Sequence, residues 1–197
     1  MMVKICGITC VEDARAAVDA GASAIGFNFW AGSSRCVSPA QASAIAAALP
    51  AAALKVGVFV NESPATVVEI ARAARLDVVQ LHGGEAPAGL SFWRACRVSG
   101  ESIADIETAA GAEAILLDTA VPGLHGGTGQ SFVWHLAQLP GWRVIVAGGL
   151  DASNVREAIR AARPWGVDAC SRIESAPGKK DHRKMRDFIK AALAETS

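Results

Sequence analysis

The sequence predicts an α/β protein, a single (β/α)8 TIM barrel with short loops, on three observations. Eight short apolar runs alternate with eight alanine-rich amphipathic stretches along 197 residues. The runs are nearly continuous in hydrophobicity, as parallel strands covered on both faces are. The length falls at the lower edge of the roughly 200 residues such a barrel needs, so loops must be short and one domain takes all of 1–197. An open doubly wound sheet would show the same alternation, because pattern alone does not reveal closure.

The first strand is read at 3–6 (VKIC) and its helix at 10–20, opened by a capping box, Thr9-Cys10-Val11-Glu12, and closed at Gly21. Strand two, 23–29 (SAIGFNF), leads to a helix over 39–49, and strand three, 55–60 (KVGVFV), to a helix over 64–75. Ser38-Pro39 and Ser63-Pro64 begin these helices: the serine oxygen takes an orphan amide, and proline's fixed φ suits the first helical position. Strand four runs 77–82 (DVVQLH) with a helix expected over 87–95; strand five is 94–98 (RACRV), with a helix over 102–110 ending at Gly111. Strand six, 114–118 (AILLD), precedes a helix over 131–139, strand seven, 143–148 (RVIVAG), one over 152–162, and strand eight, 167–170 (VDAC), one over 181–194.

Lys plus Arg and Asp plus Glu both number 19, so no net charge creates a field that would collect nucleic acid or anionic lipid. A small-molecule partner is expected, with no nucleic acid and no membrane. The longest apolar stretch, around Ala42 to Leu54, is too short to span a bilayer and contains Pro50. The first residues enter a strand without a basic and apolar leader, which predicts a cytoplasmic protein. Five scattered cysteines (6, 10, 36, 96 and 170) predict reduced thiols in place of a disulfide framework.

In such a barrel the chemistry sits at the C-terminal ends of the strands. That filter selects Cys6, Asn28 to Arg35, Asn61, Gln80 and His82, Asp118, Gly148-Gly149, and Cys170 to Glu174. AGGLDASN (147–154) places two glycines after a strand and before a helix, where backbone amides and a positive helix end suit an anion. Strand eight then delivers CSRIESAPG, and a phosphate held between the seventh and eighth loops recurs in this fold. A plain turn explains the glycine pair equally well. Cys6 and Asp118, at the mouths of strands one and six, can face each other across a sugar-sized pocket. A thiol and a carboxyl group form an unusual acid-base couple near neutrality, with reference pKa values of ~8.5 and ~3.9. Thiolate as base with carboxylic acid as acid needs large shifts; the reverse roles need smaller ones.

KICGIT (4–9), AIGFNFWAGSSRCVSPAQA (24–42), VGVFVN (56–61), VQLHG (79–83), LLDT (116–119), PGLHGGTG (122–129), AGGLDASNV (147–155) and ESAPGKKD (174–181), in this order, resemble the phosphoribosylanthranilate isomerase family of tryptophan biosynthesis. The resemblance covers essentially the whole chain. It implies an Amadori rearrangement of N-(5-phosphoribosyl)anthranilate without cofactor or metal, in a monomer or homodimer. Asp118 then corresponds to the acid that protonates the ring oxygen, and Cys6 to the base that removes the proton from C2 of the ribose. Arg35 corresponds to the arginine that holds the anthranilate carboxylate, where a planar fork suits the anion. His82, Gly127 and Asp168 correspond to substrate-binding positions, and Gly148, Gly149, Ser171 and Arg172 to the phosphate loop. Asp168 either points inward to orient substrate or caps a loop, and Cys10, Cys36 and Cys96 are read as inert.

Three positions depart from the family's usual pattern. Cys170-Ser171-Arg172-Ile173-Glu174 stands where Ser-Ser-Gly-Val-Glu is common, Gly84 where aspartate is common, and Trp30 where tyrosine is common. Arg172 either adds a charged contact to the phosphate or turns to solvent. Rivals are indoleglycerol-phosphate synthase, which needs a barrel lysine that Lys4 and Lys55 do not supply at a strand end, and a thiol-based metal or redox module on Cys6 and Cys10.

Overall fold

In the computed structural model, which describes residues 1–99, 102–104, 106–118 and 134–195, all eight expected strands form. They are β1 (Met2–Ile5), β2 (Ala24–Asn28), β3 (Leu54–Val60), β4 (Val78–His82), β5 (Phe92–Ser99), β6 (Ala114–Asp118), β7 (Val144–Ala147) and β8 (Gly166–Ala169). Each pairs in parallel with the next, and β8 returns to β1 with Ala169 opposite Ile5. The β4–β5 pairing, Gln80 opposite Trp93, leaves no gap, so the sheet is closed and the open alternative is excluded.

The continuous hydrophobicity of the strands has a two-sided cause. Met2, Ala24, Val56, Val78, Trp93, Leu116 and Ile145 point inward and fill the barrel. Val3, Ile5, Ile25, Phe27, Ile115, Leu117 and Val146 point outward, against Ala14, Ile45, Val155, Phe188 and Ile189 of the helices. Each such aliphatic or phenyl side chain stabilises the fold by about 1.5–3 kcal/mol relative to exposure. The inner layer stops short of the C-terminal mouth, where polar residues take over the inward positions.

Among the described residues five helices surround the strands: α1 (Val11–Asp19), α2 (Pro39–Ala47), α3 (Pro64–Ala74), α4 (Val155–Ala162) and α5 (His182–Ala194). The serine caps form as expected, Ser38 Oγ accepting from the Gln41 amide at 3.1 Å and Ser63 Oγ from the Thr66 amide at 3.2 Å. The capping box at Thr9 does not form. Cys10 is the N-cap without a side-chain bond, and Thr9 Oγ1 instead donates to the Gly178 carbonyl at 2.6 Å, tying the first loop to the last.

Two expected helices are corrected. No helix occupies 87–95: Phe92 and Trp93 belong to β5, because pairing with Val79 and Gln80 buries both aromatic rings. A loop with Gly83, Gly84 and Gly89 in left-handed backbone makes the crossing. Buried Arg94 holds that loop, its Nη1 donating to the Gly83 and Gly84 carbonyls at 3.0 and 3.2 Å. The stretch 102–110 likewise forms a short antiparallel strand, Ser102–Ile103, folded onto β5, and one 3-10 turn, Ile106–Ala109. The helix expected over 131–139 lies partly outside the described residues; helical backbone is present at 134–135. A hairpin that the sequence pattern did not suggest, Glu174–Ala176 against Lys179–Lys180, follows β8.

Candidate active site

The inward residues at the strand ends converge on one cavity of about 270 Å³ at the C-terminal mouth. β1 delivers Cys6, β2 Asn28, β4 Gln80 and His82, β6 Asp118, and β8 Asp168 and Cys170; Gly148, Gly149, Ser171 and Arg172 close one side. A depression of about 320 Å³ lined by Trp142 and Trp165 is roomier but holds no thiol, imidazole or carboxylate. Cys6, His82, Asp118, Gly148, Gly149, Asp168, Ser171 and Arg172 were all selected from the sequence and share this cavity. Gly127, with the rest of the PGLHGGTG motif, lies outside the described residues.

KICGIT is built to present a sulfur. The Cys6 amide donates to the Ala169 carbonyl at 2.9 Å, which continues the β1–β8 ladder one step past the strand. Gly7 then turns the chain with φ +71°, and a Cβ there would lie 2.5 Å from Arg35 Cδ. A side chain on Gly26 of β2 would sit 2.9 Å from Cys6 Sγ, so this glycine gives the thiol its room.

Beneath the thiol lies a buried ion pair. Lys4, wholly buried, places Nζ 3.1 Å from Asp168 Oδ1. Burial pushes the Asp168 carboxyl up, against the pull of Lys4, to about 7. Burial alone would depress Lys4, but Asp168 and Cys6 together hold its ammonium above the ordinary value. The Cys6 thiol lies well below its usual range: a hydrogen bond from Cys170 is the largest cause, burial opposes it, and Lys4 assists. The Cys170 thiol is pushed up for the complementary reason. Asp168 points inward, paired with Lys4 at the cavity wall. The thiol beside Cys6 comes from β8, whereas Cys10 sits at the start of α1.

His82 and Gln80 form a pair, their Nε2 atoms 2.9 Å apart. With the amide donating, His82 Nε2 is the acceptor, which requires a neutral ring; burial lowers its pKa in the same sense. Arg35 does not line the cavity. Its guanidinium grips Glu174 in a bidentate pair, Nε–Oε1 2.8 Å and Nη2–Oε2 2.7 Å, while Lys180 Nζ reaches Glu174 Oε1 at 2.8 Å. Arg172 lines the cavity beside Gly149 but is half exposed and pairs with Asp151 at 3.1 Å. Trp30 is about half exposed in the loop after β2 and takes no part in the cavity wall.

Lys4 and Lys180 were not selected from the sequence, and Glu174 only as part of the stretch after strand eight. Lys4 had a signal: a charged residue two places before Cys6 in a strand shares its inward face. Glu174 and Lys180 meet only because the hairpin after β8 folds back.

A family model described as N-(5'-phosphoribosyl)anthranilate isomerase matches residues 3–191. The chain belongs to the phosphoribosylanthranilate isomerase family. It is 54% identical to the N-(5'-phosphoribosyl)anthranilate isomerase of Solibacter usitatus, over 98% of both chains. The crystal structure of phosphoribosyl anthranilate isomerase from Thermotoga maritima is similar at a TM-score of 0.86 and 42% identity, covering 98% of this chain and 99% of that one. A phosphoribosyl anthranilate isomerase in complex with reduced 1-(o-carboxyphenylamino)-1-deoxyribulose 5-phosphate superposes at a TM-score of 0.83 with 40% identity, over 98% of this chain and 99% of that one. A phosphoribosylanthranilate isomerase needs one mouth that takes a sugar phosphate, and the cavity described above is the mouth of this barrel.

Proposed function

We propose that this chain converts N-(5-phosphoribosyl)anthranilate to 1-(2-carboxyphenylamino)-1-deoxyribulose 5-phosphate with Asp118 as general acid and Cys6 as general base. The observation that carries the reading is that both groups, from strands three places apart round the ring, line one cavity. Asp118 gives its proton to the furanose oxygen, the ring opens, and the nitrogen lone pair forms the C1=N bond of a Schiff base. Cys6 thiolate takes the proton from C2, and electrons flow into C1=N to give an enolamine that tautomerises to the ketone. The depressed Cys6 thiol favours this order of roles over the reverse one.

Gly148, Gly149, Ser171 and Arg172 are the group that would receive the phosphate, at the wall where α4 also begins. Arg35 would take the anthranilate carboxylate by exchanging one anion for another; Lys180 stays with Glu174 when it does so. His82, neutral, would support the sugar by hydrogen bonding, and Gly127 is a further proposed substrate-binding position. Lys4 lies inside the barrel but is held by Asp168 and charged, which leaves it unsuited to the lysine role of indoleglycerol-phosphate synthase. Among the described residues no helix is long and apolar enough to cross a membrane, and the free thiols suit a cytoplasmic enzyme, monomeric or dimeric.

The test generates phosphoribosylanthranilate in situ and follows loss of its fluorescence. Wild type turns over, and Cys6→Ala and Asp118→Asn each lose about 10²-fold or more in kcat, the scale of a general acid or base. No turnover by wild type overturns the reaction, and near-full activity in either variant overturns its role.

A further inference from the structure

We propose that Cys170 is a positioning residue for the isomerisation, its thiol donating to the Cys6 sulfur across the β1–β8 junction. The inference rests on the reading of Cys6 as base. Three features place the sulfurs together. Ile5 and Ala169 are register partners, and the next residue of each strand is a cysteine. Both cysteines line the same cavity and both are free. Cys170 Sγ packs on the turn that follows Cys6, where a Cβ at Gly7 would lie 3.0 Å from it.

Once one of two adjacent thiols has ionised, the pair shares the one remaining proton, so the surroundings decide which sulfur keeps the charge. Lys180 lies nearest Cys170, with Nζ 3.8 Å from its sulfur and 3.1 Å from its carbonyl oxygen, and it pairs with Glu174 at 2.8 Å. Arg35 shares that one carboxylate, so the three groups together keep one net positive charge beside the two sulfurs. Lys4, on the inward face of β1 below Cys6, is balanced by Asp168, a carboxyl that burial leaves partly protonated near neutrality. Lys4 and Lys180 both favour an anion on Cys6, whereas Cys170 has Lys180 alone and Asp168 against it. From the other walls, Asp118 of β6 enters as the proton-bearing acid of the proposed reaction and neutral His82 of β4 contributes no full charge. The anion therefore settles on Cys6, and Cys170, with Lys180 polarising its sulfur, is the donor.

The hydrogen bond has a chemical use. It holds the Cys6 sulfur in one rotamer toward the cavity and keeps it ionised at a pH where a free thiol is protonated. Once Cys6 has taken the C2 proton it no longer needs the bond, so the donor favours the state that begins the reaction.

The experiment measures the pH profile of kcat/KM for wild type, Cys170→Ala, Cys170→Ser and Cys6→Ala. Alkylation of Cys6 by iodoacetamide across the same pH range, read by peptide mass spectrometry, supplies a second readout. Loss of the donor in Cys170→Ala is expected to move the acid limb and the Cys6 alkylation midpoint up by about one pH unit, with kcat at pH 7 down about tenfold and KM within about twofold. Serine, which also donates, restores most of both. An unmoved limb and midpoint in Cys170→Ala, or an alanine variant indistinguishable from serine, overturns the positioning role. Full activity in Cys6→Ala overturns the base reading itself, whereas an inert Cys6→Ala beside an unmoved Cys170→Ala profile overturns only the role of Cys170.

Discussion

Substituting Glu174→Gln tests the cluster that holds the hairpin to the barrel. The carboxylate is buried, with 5% side-chain exposure, and accepts three charge-assisted bonds of 2.7–2.8 Å from Arg35 and Lys180. Glutamine keeps the volume and one acceptor but removes the charge. Arg35 can turn to water, being partly exposed; Lys180, with 0% exposure, cannot, and is left with the Cys170 carbonyl and sulfur. Removing one partner of a buried pair costs about 3–5 kcal/mol, because the remaining charge has no compensation. The retained acceptor places the expectation at the lower end, about 3 kcal/mol. In a chain of this size 1 kcal/mol shifts Tm by about 2–4 °C, so calorimetry at pH 7 should show a loss of about 6–12 °C.

The same substitution carries a pH signature. Burial pushes the Glu174 carboxyl up, but Arg35 and Lys180 outweigh it and hold the group below its reference value of 4.5. The unfolded chain therefore takes up the proton first as pH falls. The contribution of Glu174 is fully present above about 4.5 and is lost below it as pH drops through the depressed folded value. The Tm gap between wild type and Glu174→Gln should stay constant from pH 7 to 5 and narrow below that range. A gap of less than about 2 °C at pH 7, or one indifferent to acid, would refute the reasoning.

Lys4→Met removes the cation below Cys6 while preserving length and apolar volume, so the acid limb of kcat/KM should rise by about one pH unit with KM within about twofold. An unchanged limb would mean that Lys4 serves only the packing of the barrel. Arg172→Ala should raise KM about tenfold, about 1.4 kcal/mol and the low end for a charge-assisted bond, since the side chain is half exposed and already shares Asp151. Steady-state kinetics with an unaltered KM would leave Arg172 as a surface partner of Asp151 alone.

The strand ends were legible because two periodicities reinforce each other there. Outward positions of a covered parallel strand must be apolar, and Val3, Ile5, Leu117 and Val146 obey this. A polar residue that closes such a run, as Cys6, His82 and Asp118 do, has no packing reason to be there. The missing helix after β4 was not legible: Leu90, Phe92 and Trp93 satisfy a helical spacing as well as a strand's. Only the edge offered by β4 decided between them. The cap at Thr9 failed for a related reason, since the hydroxyl had a rival acceptor 169 residues away in Gly178.

By itself the sequence determined the order and period of the strands, the serine caps, the neutral charge balance and the residues that end each strand. These are local properties, set by neighbours a few positions apart. Tertiary structure decided which ends meet: Cys6 beside Cys170, Lys4 against Asp168, and Glu174 between Arg35 and Lys180. Closure of the ring brings these groups out of water together, and apart from Glu174 with Lys180, six residues apart, the charge each one carries depends on partners more than a hundred residues away.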